Sequence, residues 1–320
     1  MRRMIAAFLI LCGVGTDRGA YAEEMQITVD GYARIYIIER PNTSRPSPTV
    51  IMLHGANGTA GLIAQQTNLA GLGPQDGFVT VFPQSRANVW NRFLPGRESP
   101  RAIELFHRFG GPPNDIGFLQ MLIADLVRRG IADPARVYLA GLSNGGFMTL
   151  SVFCFEPGLI AGIGLIVASM PDLTGEECRP AKPLPVVIMN GTADVVVPYR
   201  GGPVAPLSPQ DPPTFSVWST DRLESYFRRF NGCTQSPEAV VLSGPQAQRI
   251  EVGRSTNCAG GPVHASRVVG GTHGSVAVTL NTGKVLLDSS ATQRPSPLPR
   301  SGRPSIASST AGSTTDTGHR

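Results

Sequence analysis

Short apolar runs alternate along this chain with stretches in which apolar residues recur every three or four positions. Residues 32–39 (YARIYIIE), 48–53 (PTVIML), 78–82 (FVTVF), 136–140 (RVYLA), 162–168 (GIGLIVA), 185–189 (PVVIM) and 266–269 (SRVV) predict strands. Between residues 115 and 129 the period changes. Ile116, Phe118, Leu119, Leu122, Ile123 and Leu126 fall on one helical face, Asn114 or Asp115 can cap its start, and Gly130 can end it. Residues 147–155 predict a second helix, and Leu223, Tyr226, Phe227 and Phe230 mark a third. Apolar strands alternating with amphipathic helices imply an α/β fold, a mostly parallel sheet with helices on both faces. In such sheets functional groups gather beyond the carboxyl ends of the strands.

The two ends differ from this body. Residues 1–22 combine Arg2 and Arg3, an apolar run over 4–14 and the pattern Ala20-Tyr21-Ala22, which is the layout of a cleaved export signal. That run is too short to span a bilayer. Cys12 follows Leu11 rather than a small residue, which argues against a lipid anchor. From about Asn281 the composition shifts to Ser, Thr, Pro, Gly and Arg, which cannot bury a core. The expected organisation is a signal peptide over 1–22, one α/β domain over 23–288 and a low-complexity tail over 289–320. The length suits a single domain.

The net charge of +5 sits in those ends. Arg2, Arg3 and Arg18 outweigh Asp17, and Lys284 with Arg294, Arg300, Arg303 and Arg320 outweighs Asp288 and Asp316, so the body is neutral. No basic stripe remains for nucleic acid. Cys154, Cys178, Cys233 and Cys258 lie in the body, and an even count in an exported chain favours two disulfides. The C-x-x-C spacing of zinc or redox sites is absent from the sequence. A secreted or periplasmic monomer without metal or cofactor is expected.

The chemistry centres on GLSNGG, residues 141–146, directly after the strand RVYLA. Gly141-Leu142-Ser143-Asn144-Gly145 fits G-x-S-x-G. Where a strand turns sharply into a helix, small neighbours let the two approach, and backbone strain holds the serine hydroxyl out at the top of the sheet. The Asn144 N–H then faces a developing oxyanion. The alternative is a glycine-rich turn with an incidental serine. A serine nucleophile needs a base, and the base needs an acid to orient it.

In this arrangement the acid and then the histidine follow the serine along the chain. Asp194, in NGTAD after an apolar strand, is the favoured acid, and Asp172 in SMPDL competes. Among the histidines, His319 lies in the tail, His107 in a polar loop before the serine, and His264 just before the last strand. His273, in VVGGTHG just after that strand, occupies the position of the base. LHGANG follows the second strand. Its His54-Gly55 turn can aim the Ala56 N–H at the same oxyanion, or it is an ordinary strand-end turn. Trp90 and Trp218 offer stacking surface but are better read as packing residues, and the Pro-rich segment 203–213 can border the cleft.

Together the segments PTVIMLHGANGTA, FVTVFPQS, VWN, NDIGFLQMLIADL, DPARVYLAGLSNGGFM, NGTADVVVPYRGG and FNGC resemble a known family, over residues 32–274. It is the secreted α/β-hydrolase esterases of the polyhydroxybutyrate depolymerase-like and feruloyl or acetyl-xylan esterase-like group. The resemblance implies Ser143, Asp194 and His273 as a triad, and pairing of Cys154 with Cys178 and Cys233 with Cys258. Members commonly follow the histidine with a Trp-Pro element, where this chain has Gly274-Ser275-Val276. The expected function is a serine esterase acting through an acyl-enzyme on polyhydroxyalkanoate esters, oligomeric or polymeric. The alternatives are a feruloyl or acetyl-xylan esterase on plant polysaccharide, a peptidase of the same fold, and a catalytically impaired binding protein.

Overall fold

The computed structural model describes residues 22–276, apart from 94, 95, 97, 157, 207–214 and 244–247. The export signal, the tail and most of the Pro-rich segment therefore lie outside the described residues.

The strands are β1 (Glu23–Val29), β2 (Tyr32–Glu39), β3 (Ser47–Leu53), β4 (Val79–Pro83), β5 (Ala132–Leu142), β6 (Gly162–Ile166), β7 (Val186–Gly191), the short pair β8 (Gly202–Pro203) and β9 (Ser216–Val217), β10 (Glu238–Ser243), β11 (Arg249–Ser255) and β12 (Val263–Val268). All except β8 and β9 join one sheet in the order β1-β2-β4-β3-β5-β6-β7-β12-β11-β10. The centre, from β4 to β12, is parallel. Antiparallel pairs close both sides. Central strands β4, β6 and β7 are buried at every position, which is why they read as unbroken apolar runs.

The helices are α1 (Ala60–Thr67), α2 (Leu69–Gln75), α3 (Pro100–His107), α4 (Asp115–Arg128), α5 (Asn144–Phe155), α6 (Asp172–Glu177) and α7 (Thr220–Phe230). One sheet face packs against α4, α5 and α7, and the other against α1 and α2. Helix α4 starts where the Asn114 side chain accepts the Gly117 N–H at 2.9 Å. It buries Ile116, Phe118, Leu119, Leu122, Ile123 and Leu126, each contributing about 1.5–3 kcal/mol against exposure. Among the described residues no helix is long and apolar enough to cross a membrane.

Two positions differ from the sequence expectation. His107 is the last residue of α3 rather than part of a loop, because Pro100 and a Ser99 cap start a helix that buries Phe106. His264 lies inside β12, which begins at Val263, because pairing with β7 and β11 extends the strand beyond its apolar core.

Candidate active site

Strand β5 ends at Leu142 and α5 begins at Asn144, so Ser143 alone makes the turn. Its φ of 52° and ψ of −114° form a strained conformation for a residue with a side chain. The surrounding glycines are required by contact. A Cβ on Gly141 would sit 2.1 Å from the Gly145 carbonyl oxygen, one on Gly145 2.6 Å from the His54 carbonyl oxygen, and one on Gly146 2.4 Å from the Ala168 Cβ. The helix thus lies directly against β5, β3 and the end of β6, and the Ser143 side chain projects from the rim.

His273 meets that side chain. Its Nε2 lies 3.0 Å from Ser143 Oγ, and its Nδ1 2.8 Å from Asp194 Oδ2. A carboxylate only accepts, so Nδ1 carries the proton and Nε2 is free to accept the serine hydroxyl. The other Asp194 oxygen accepts the Val196 and Val197 N–H groups at 2.8 and 2.9 Å. The carboxylate is buried, while the imidazole is about a quarter exposed.

The loops carrying acid and histidine are tied together. Ala193 N–H donates to the Gly271 carbonyl, Thr192 N–H to the Val268 carbonyl, and Gly270 N–H to Thr192 Oγ1. Beyond the histidine, Thr272 N–H donates to Ser275 Oγ at 2.9 Å, and Val276 is fully buried. The Gly274-Ser275-Val276 segment therefore anchors the histidine loop with a turn bond and an apolar plug. Asp172 heads α6 and makes no hydrogen bond to His273 among the described residues.

The His54 loop lies alongside: a Cβ on Gly55 would sit 3.6 Å from Ser143 Cβ. His54 is buried, and its Nε2 accepts the Ser85 N–H at 3.2 Å, so the proton belongs on Nδ1, which lies 2.7 Å from the Gly55 carbonyl oxygen. Burial lowers the pKa of this imidazole, partly offset by that bond, which favours the neutral ring. Gly58 N–H donates to the same carbonyl at 3.1 Å. Neither the Ala56 nor the Asn144 N–H donates to an acceptor among the described residues.

Asn144 has a second attachment that sequence reasoning missed. Its Oδ1 accepts the Trp90 N–H at 2.6 Å, and its Nδ2 donates to the Trp90 carbonyl at 3.3 Å. Trp90 is a packing residue. It stacks on Phe118, and its indole N–H donates to the His54 carbonyl. Trp218 is also buried, against Tyr226. Buried Asp115 holds Arg34 at 2.5 Å and the Asn91 N–H at 2.7 Å, fixing the Trp90 loop from below. The phrases VWN and ND were the only sequence signal of this bracing.

Cys154 at the end of α5 is joined to Cys178 after α6, and Cys233 after α7 to Cys258 after β11. Two such bridges fit an oxidising compartment.

The sheet order, the sharp turn at the end of β5 and the helices on both faces define an α/β-hydrolase fold. The chain resembles, at low identity, α/β-hydrolase esterases of the polyhydroxybutyrate depolymerase-like and feruloyl or acetyl-xylan esterase-like group. It is 25% identical over 211 residues to NocK of Nocardia uniformis subsp. tsuyamanensis, to which esterase activity is ascribed, covering 63% of this chain and 58% of that protein. It is 30% identical over 163 residues to feruloyl esterase B of Piromyces equi, covering 50% of this chain and 29% of the relative. It is 32% identical over 146 residues to a poly(3-hydroxybutyrate) depolymerase of Ralstonia pickettii, covering 42% and 27%. The matched part thus spans between about a quarter and three-fifths of these relatives. An acetyl xylan esterase from Aspergillus awamori shares the fold, with a TM-score of 0.53 at 16% identity over 84% of this chain and 99% of that one. No family model matches the chain.

Proposed function

We propose that this chain is a serine carboxylic-ester hydrolase working through an acyl-enzyme. The observation that carries the reading is the hydrogen-bonded series from Ser143 through His273 to Asp194. In it His273 takes the serine proton as Oγ attacks the ester carbonyl, and returns it to the leaving alcohol. Asp194 holds the imidazole tautomer and stabilises its cation. Water then attacks the acyl-enzyme by the same route in reverse.

The Asn144 and Ala56 N–H groups are the proposed oxyanion donors. Support for Ala56 comes from the peptide plane it shares with the Gly55 carbonyl. No described peptide bond is cis, so this C=O and N–H point in opposite directions. His54 and Gly58 hold the carbonyl, which turns the Ala56 N–H away from them.

The relation to the Ralstonia depolymerase supports hydroxyalkanoate esters as the substrate class. The relation to the Piromyces feruloyl esterase supports phenolic esters as the second reading. The leader-like sequence and the two disulfides support an exported protein. Wild type and Ser143→Ala should be compared on a chromogenic short-chain ester, then wild type on hydroxybutyrate oligomers, methyl ferulate and acetylated xylan. Ser143→Ala should lose on the order of 10³-fold or more in turnover while keeping its melting temperature. A folded wild type inert toward every ester would support the impaired binding protein instead.

A further inference from the structure

Arg92 has no anion. Its guanidinium carbon lies 3.9 Å from the Phe215 ring centroid, 4.2 Å from Phe93 and 5.7 Å from Phe147. Phe147 and Phe215 meet edge to face at 5.2 Å. Among the described residues the guanidinium makes no ion pair and no hydrogen bond. Elsewhere Arg34 pairs with Asp115, and Arg267 with Glu224 and Asp221. Burial lowers the Arg92 pKa to about 10, and the group stays charged at neutral pH. Three ring faces attract a cation, but they accept none of its five N–H donors in the plane of the fork. The residue as a whole is partly exposed.

Its place is beside the nucleophile. Trp90, two residues earlier, is bracketed by the Asn144 side chain, and the Arg92 carbonyl accepts Ser151 Oγ on α5 at 2.7 Å. Phe147 lies about one helical turn beyond Ser143 and donates its N–H to the Ser143 carbonyl. We infer that Arg92, walled by Phe93, Phe147 and Phe215, is a subsite for a carboxylate carried by the ester substrate. The planar fork matches a carboxylate with two parallel hydrogen bonds, and the rings exclude water around the pair. The substrate class becomes esters with a free acid group near the scissile bond, of which a linear hydroxy-acid oligomer is one kind. This inference rests on the esterase reading for its catalytic consequence, and on Arg92 alone for binding.

The test uses two matched pairs on the full chain. 4-Nitrophenyl hydrogen glutarate against 4-nitrophenyl pentanoate places the acid on the acyl side. 3-Acetoxybutanoate against its methyl ester places it on the alcohol side. In at least one pair, kcat/KM should favour the acid about 10-fold or more, the pair identifying the side. Arg92→Met should erase that preference yet leave the neutral esters within about 3-fold. Arg92→Lys should restore part of it, as a point charge without the fork. Separately, glutarate binding to Ser143→Ala should be measurable by calorimetry and be lost in Ser143→Ala/Arg92→Met. A wild type that prefers the neutral ester in both pairs, or glutarate binding that survives Arg92→Met in a folded protein, overturns the subsite. Loss of all ester turnover with glutarate binding intact overturns the esterase reading and leaves the subsite standing.

Discussion

Ser143 owes its position to its neighbours' lack of side chains, and the groups around it owe theirs to hydrogen bonds. Asp194 is held by two backbone N–H donors besides His273. Asp194→Asn keeps the size but cannot hold the imidazole in the same tautomer, so turnover should fall by about 10⁴-fold. Asp172→Asn should stay within about 3-fold, and steady-state rates on one ester compare the two directly. The reverse ranking would move the acid to α6. His54 acts one step back from the proposed reaction, by holding the Gly55 peptide. His54→Asn should lower kcat more than it raises KM, since an oxyanion donor matters most as charge develops. Its folded pKa is depressed, so its share of stability is complete above the ordinary histidine value near 6.5 and is lost as pH falls below it. The denaturation midpoint of wild type minus that of His54→Asn should therefore shrink from pH 7.5 to pH 5. A difference that grows on acidification would mean the ring is charged in the fold. Ser143, Asp194 and His273 were legible because each follows an apolar strand in a recognisable order. Arg92 was not, because its partners Phe147 and Phe215 are distant in sequence and meet only in three dimensions.

At the scale of elements, legibility followed burial. β3, β4, β6 and β7 announce themselves as apolar runs because both faces are covered. β1, β10 and β11 escaped notice: β1 and β10 carry mostly exposed side chains at the two edges of the sheet, and β11 mixes Arg249, Glu251 and Arg254 into its run. Helices α1 and α2 were also missed, since AGLIAQQT and LAGLGPQ are short and rich in small residues. Helix α5 is apolar on nearly every side, so no amphipathic period marks where it starts, and it begins at Asn144 rather than Phe147. Its far end is secured by the Cys154–Cys178 bridge and its near end by Asn144. Each bridge closes a loop of some two dozen residues and should contribute about 2–4 kcal/mol. Non-reducing peptide mapping should recover the two pairs, and Cys154→Ser/Cys178→Ser should lower stability by that amount in denaturant. Equal stability of the doubly substituted and native proteins would contradict the strapping of α5.

At the scale of the whole molecule, the candidate site draws on four strand ends. β3 supplies His54 and Ala56, β5 supplies Ser143, β7 supplies Asp194 and β12 supplies His273. These strands are neighbours or near neighbours in the parallel centre, so one sheet edge sets the whole constellation. The antiparallel pairs on either side complete the sheet but contribute no group to the series from Ser143 to Asp194. The central claim is that Ser143 forms a covalent acyl intermediate through His273. Brief exposure of the full chain to a 4-nitrophenyl ester, acid quench and peptide mass analysis tests it most directly. One acyl group is expected, on the peptide carrying Ser143, absent from both Ser143→Ala and His273→Ala. Hydrolysis without that adduct in the wild type, together with full activity in Ser143→Ala, would contradict it.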